Sequence, residues 1–215
     1  MIKAVLFDMD GTVFDTERIY REGWFYAAEA VGFDDMEELL RRVFGTSEKD
    51  IGTYVYKTYG ADVPYEKMLS LRAGLIAQRI EENGVPLKAG VPEVFERLRE
   101  KGIKMALATS APRFRVDDFL AKSGLTEFFS AVITGERVTR SKPAPDIFLL
   151  AAKELGVLPE ECMVVEDSHN GAKAGCNAGM TVVLIPDLQP FTSEVAPYVT
   201  HHLTSLEDLM GLFEG

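Results

Sequence analysis

The apolar positions of the chain change period twice, and the changes divide it. Ala4 to Phe7 is a short uninterrupted apolar run with β-branched and aromatic members, as in a strand buried on both faces of a parallel sheet. From about residue 17 to residue 84 strand character disappears and apolar residues recur at helical spacing. Tyr20, Trp24, Ala27 and Val31 fall on one face, Met36, Leu39, Leu40 and Val43 on a shorter one, and Leu69, Ala73, Ile76 and Ile80 on another. Gly32, Gly45, Gly60 and Gly84 punctuate these segments, which predicts a bundle of about four helices with its own core, inserted over residues 16–84.

From Val85 onward short strands alternate with helices. The pattern predicts helices over Pro92–Lys101, Phe114–Ser123 and Pro145–Leu155, and strands over Lys104–Ala108, Ala131–Thr134, Met163–Val165 and Thr181–Ile185. Ser168 is the expected N-cap of a further helix carrying Gly171, Gly175 and Gly179, whose spacing signals close packing on a sheet. Such alternation predicts an α/β fold: a doubly wound, Rossmann-like parallel sheet formed by residues 1–15 and 85–215, with the helical bundle as a second unit.

Composition narrows the chemistry. The 215 residues, 47% of them hydrophobic, suffice for one sizeable core and a smaller satellite. Lys plus Arg number 23 against 34 Asp plus Glu, and the net charge of -11 argues against a nucleic-acid partner. An anionic small molecule would need local positive charge or a bound cation. Cys162 and Cys176 lack a metal-ligand spacing and read as buried thiols in a reducing compartment. No apolar run approaches a membrane span, so the expectation is a cytoplasmic protein with no membrane partner.

The strand ends carry the polar residues. One edge of a parallel sheet would collect Asp8, Asp10, Thr109, Ser110, Glu166 and Asp167, with Lys142 arriving from the loop SKPAP. Gly11 supports a chain reversal that leaves both aspartates at the end of the first strand, although Asp10-Gly11 also reads as a simple hairpin turn. Carboxylates crowded in this way call for a cation, and hard oxygen ligands imply Mg²⁺, with Mn²⁺ and other divalent cations as substitutes. A phosphate dianion beside them would need Lys142, the Thr109 hydroxyl and the backbone N–H groups of the Asp8 to Gly11 turn. Taken alone, Thr109 reads as a helix N-cap, Lys142 as a solvated loop lysine, and Glu166 with Asp167 as charges at the start of the Ser168 helix. Asp15 and Glu17 read as local caps, and His169, His201 and His202 as structural.

The segments FDMDGT, LATS, SKPAPDIF and VVEDSHNGAKAGCNAGM, in this order, resemble the haloacid dehalogenase superfamily in its branch with a helical cap after the first strand. The resemblance implies a phosphoryl-transfer enzyme in which Asp8 is the nucleophile, Asp10 the general acid and then base, and Asp8, Asp10 and Asp167 the Mg²⁺ site. Glu166 is then a ligand or a partner of one, and Thr109, Ser110 and Lys142 hold the phosphoryl group. Asp10 disfavours halide displacement, since members doing that chemistry lack an acid there. Within the superfamily the chain resembles the β-phosphoglucomutase group, but Glu48 stands where the mutases carry an arginine for the distal phosphate, Tyr20 where they carry a histidine, and Pro112 and Arg113 where they carry Lys and Asn. Lys49, Arg72 or Arg113 would have to replace the missing charge. The expectation is therefore a monomeric Mg²⁺-dependent phosphatase of small phosphorylated sugars, with Glu48 and Lys49 among the substrate contacts. Phosphomutase is the runner-up and a non-catalytic sugar-phosphate-binding module the third reading.

Overall fold

The computed structural model describes residues 1–43 and 48–214. The chain forms two compact units, residues 1–15 with 87–215 and residues 16–86. The first holds a six-stranded sheet of β1 (Ala4–Phe7), β2 (Lys104–Thr109), β3 (Ala131–Thr134), β4 (Cys162–Glu166), β5 (Thr181–Leu184) and β6 (His201–His202), in the order β3-β2-β1-β4-β5-β6. All five pairings are parallel. The first strand lies centrally, in register with β2 through Ala4 and Lys104 and with β4 through Ala4 and Cys162.

Burial on both faces explains why β1 is apolar throughout. Ala4 and Leu6 join a cluster with Ala106, Ala108, Cys162 and Val164 beneath residues of the helices Asp146–Leu155 and His169–Asn177. Phe7 points the other way, against Phe95 of the helix Val91–Glu100, at 4.9 Å between ring centroids. Helices thus cover both faces, as the alternating pattern predicts. The edge strand β6 was not expected; its two residues, His201 and His202, carry no apolar periodicity.

The second unit contains the helices Glu17–Val31, Met36–Val43, Glu48–Tyr59 and Tyr65–Asn83. Trp24, Ala27, Met36, Leu39, Val55, Tyr65 and Met68 share its core. The buried face of Tyr65–Asn83 differs from the expected stripe: Ala73 is exposed, whereas Tyr65, Met68, Arg72 and Ile80 are buried. Arg72 takes the apolar residue's place by laying its guanidinium 4.6 Å from the Trp24 ring centroid and 5.3 Å from that of Tyr20. Among the described residues no helix is long and apolar enough to cross a membrane.

Candidate active site

The site grows from the carboxyl end of β1. The Asp8 N–H donates to Val165 O at 3.0 Å, carrying the β1–β4 ladder one residue past the strand and fixing the backbone of the first aspartate. Gly11 then adopts φ +80°, and the chain reverses as Val13 and Phe14 donate to Met9 O. The reversal is a tight turn, and it brings Asp8 and Asp10 to the same sheet edge as Thr109 and Glu166, the last residues of β2 and β4.

Lys142 stands among these groups. Its Nζ donates to Asp8 Oδ1 at 2.5 Å, Glu166 Oε1 at 2.7 Å and Ala108 O at 3.1 Å, so all three ammonium protons have acceptors. The Lys142 side chain is only 7% exposed, which sets aside the solvated-loop alternative. Burial works against its charge, but Asp8 and Glu166 outweigh it and hold the ammonium above the ordinary lysine range. Burial has the larger effect on Asp8: it raises the carboxyl to about 7, against the pull of Lys142 and with the help of Glu166 and Asp10.

Glu166 is a bracket. Its Oε1 receives Lys142, and its Oε2 accepts from the N–H groups of Asp167 and Ser168 at 3.1 and 3.0 Å and from Ser168 Oγ at 2.8 Å. The same Ser168 Oγ accepts from Gly171 N–H at 3.0 Å, which makes Ser168 the N-cap as expected. Gly171 lets the helix approach: a Cβ there would lie 1.7 Å from Glu166 Oε1. Gly175 serves the sheet similarly, since a Cβ would meet Val182 at 2.9 Å and Val164 at 3.1 Å, whereas Gly179 packs on nothing and supplies φ +73° after the helix.

Thr109 does not cap the next helix. Pro112 holds that position before Arg113–Ser123, and Thr109 Oγ1 instead accepts from Ala111 N–H at 3.0 Å within the turn. Asp167 is buried beside Glu166, and Ser110 is exposed. Lys142 interleaves with the carboxylates, so Asp8, Asp10, Glu166 and Asp167 do not form a closed cage. Among the described residues no group of three or more His, Cys, Asp or Glu side chains is arranged to hold a metal unaided. Mg²⁺ asks for less, since it commonly keeps several waters and takes one or two carboxylates with substrate phosphate. Buried Asp8 and Asp167, with Asp10 close by in the chain, are hard oxygen donors of the kind it takes.

Three expectations need correction or fall elsewhere. Asp15 is not a local cap: it pairs with Lys88 at 3.3 Å, and Lys88 also reaches Asp187 at 3.1 Å. Cys162 is buried, where desolvation pushes its thiol up to about 11, but Cys176 is exposed because it sits on the outer side of its helix. Residues 44–47 and the side chains of Glu48 and Lys49 lie outside the described residues. Motif reading also missed Arg115, whose Nη2 donates to Asp10 Oδ2 at 3.1 Å.

A family model for haloacid dehalogenase-like hydrolases matches residues 2–179. The chain belongs to this family, and it is an enzyme of that hydrolase class. A phosphorylated carbohydrates phosphatase of Thermotoga maritima is 33% identical over 183 residues, which span 83% of this chain and 82% of that protein. The crystal structure of CbbY from Rhodobacter sphaeroides in complex with phosphate superposes with a TM-score of 0.80 at 27% identity, covering 97% of this chain and 96% of that one. A CbbY complex with xylulose-(1,5)bisphosphate gives 0.78 at 28% identity over the same shares.

Proposed function

We propose that the protein is a Mg²⁺-dependent phosphoric monoester hydrolase that acts on small phosphorylated sugars through an aspartyl-phosphate intermediate. The observation that carries this reading is the buried Asp8, held by Lys142 at the end of the central strand, with a second aspartate two positions on. The relatives acting on phosphorylated carbohydrates and the sugar-bisphosphate complex support the substrate class.

In the reaction, an Asp8 carboxylate oxygen attacks phosphorus, and the bond from phosphorus to the sugar oxygen breaks with its electron pair leaving on oxygen. Asp10 gives that oxygen a proton. A water then adds to phosphorus, losing its proton to Asp10, and the bond from Asp8 to phosphorus breaks to restore the carboxylate. Asp8 and Asp167 would hold Mg²⁺, with Asp10 beside them, and the ion supplies positive charge that offsets repulsion between the nucleophile and the phosphate dianion. Both Glu166 oxygens already accept hydrogen bonds, so in this reading Glu166 holds Lys142 and the Asp167 loop. Lys142 and the Thr109 hydroxyl grip the transferring group. A monomer in the cytoplasm is part of this reading.

Hydrolysis is preferred to isomerisation because Glu48 replaces the mutase arginine, and a carboxylate repels a distal phosphate. The test is to incubate the enzyme with Mg²⁺, β-glucose 1-phosphate and a trace of the 1,6-bisphosphate, following inorganic phosphate and glucose 6-phosphate together. Phosphate should dominate. Glucose 6-phosphate forming far faster would make the enzyme a mutase, and no release from any of a panel of sugar phosphates would leave only the binding-module reading.

A further inference from the structure

Arg115 lies in the first turn of the helix Arg113–Ser123, with carboxylates near it in sequence at Asp117 and Asp118. Those two are taken by neighbours at helical spacing: Asp117 by Arg113 at 2.8 Å and Asp118 by Lys122 at 2.7 Å. Both pairs are roughly half exposed, the kind that contributes little to stability. Arg115 behaves differently. It reaches back 105 positions to Asp10, and in this pair the side chains are only 22% and 13% exposed. Ordering a long arginine side chain and partly desolvating both charges costs free energy, and the return is a fixed orientation for the Asp10 carboxyl.

We propose that Arg115 is a positioning residue for Asp10, its Nη2 donating to Oδ2 so that the carboxyl is held in one orientation for proton transfer to the leaving oxygen. This rests on the phosphatase reading above. The guanidinium makes and breaks no covalent bond and transfers no proton; in the step that cleaves the sugar ester, the proton travels from Asp10 to the sugar oxygen. Misplacement of the carboxyl by about 1 Å costs on the order of 10²-fold in rate. The loss should grow with the leaving group's need for a proton, because an anion that departs easily needs little help.

The experiment measures kcat/KM, which reports the first phosphoryl transfer, for the parent, Arg115→Met and Arg115→Lys on a primary alkyl sugar phosphate and on 4-nitrophenyl phosphate. Arg115→Met should lose on the order of 10²-fold on the sugar phosphate and much less on the aryl ester, and lysine should restore part of the difference. Combined with Asp10→Asn, Arg115→Met should cost almost nothing more, because the group it aims is gone. Equal losses on both esters, or a full additional loss in the Asp10→Asn background, would overturn the assignment and make Arg115 a phosphate contact or a support of the fold. If the methionine variant does not fold, the lysine variant carries the same comparison, and an equal loss on both esters sinks the proposal. A parent that releases phosphate from neither ester would instead defeat the phosphatase reading itself.

Discussion

Replacing Gly171 with alanine should invert the usual effect of that exchange. In the middle of an exposed helix, Gly→Ala stabilises by up to about 1 kcal/mol, through helix propensity and a less flexible unfolded chain. At Gly171 the new Cβ would stand 1.7 Å from Glu166 Oε1 and 1.8 Å from its carboxyl carbon. Ordinary contact needs about twice that distance, so the carboxylate would have to move by more than an ångström, beyond the tolerance of its hydrogen bonds. Those bonds hold Lys142, two backbone N–H groups and Ser168 Oγ. Breaking a buried ion pair costs about 3–5 kcal/mol, and subtracting the propensity gain leaves a net loss of about 2–4 kcal/mol. At roughly 2–4 °C per kcal/mol for a chain of this size, Tm should fall by about 4–16 °C. Activity should fall with it, since Lys142 and the Asp167 loop share the bracket. Gly74→Ala is the internal control: its Cβ meets nothing within 4 Å, so it should hold or raise Tm. Thermal unfolding of both variants, with phosphate release at 25 °C, decides the matter. A Gly171→Ala protein as stable and active as the parent would refute the account of Glu166.

Two further outcomes are expected. Burial raises Asp8 to about 7, so below that pH a proton competes with the cation; Mg²⁺ affinity measured by calorimetry should weaken about tenfold from pH 8 to pH 6, and a flat profile would remove Asp8 from the metal site. Lys142→Ala leaves Asp8 and Glu166 as buried carboxylates without their shared cation, so denaturant unfolding should show a loss of about 3–5 kcal/mol; an unchanged midpoint would contradict the burial of this network.

The sheet was legible in the chain because its strands are buried on both faces and read as apolar runs, and because Gly11 and Ser168 mark a turn and a cap whose chemistry is local. Asp8 and Asp10 stood out at a strand end, and Lys142 in the loop after β3, because each belongs to a short motif in the chain. Ion pairs between distant segments were not: nothing near Arg115 indicates Asp10, and nothing near Lys88 indicates Asp15 and Asp187. Arg72 misled in another way, since polarity patterns count an arginine as outward-facing while its stem and guanidinium pack on aromatic rings. A two-residue edge strand such as β6 has too few positions to show a period.

The central place of β1 governs the order in which the chain can fold. Ala4 finds its first sheet partner at Lys104 and its second at Cys162, so Asp8 is made early but gains its surroundings late. The helices of residues 16–86 have their core partners close by in sequence and can form on their own while β1 still waits. During synthesis β1 is an apolar segment without a sheet partner until about a hundred residues have followed it, so Ala4 to Phe7 is open to aggregation over that interval.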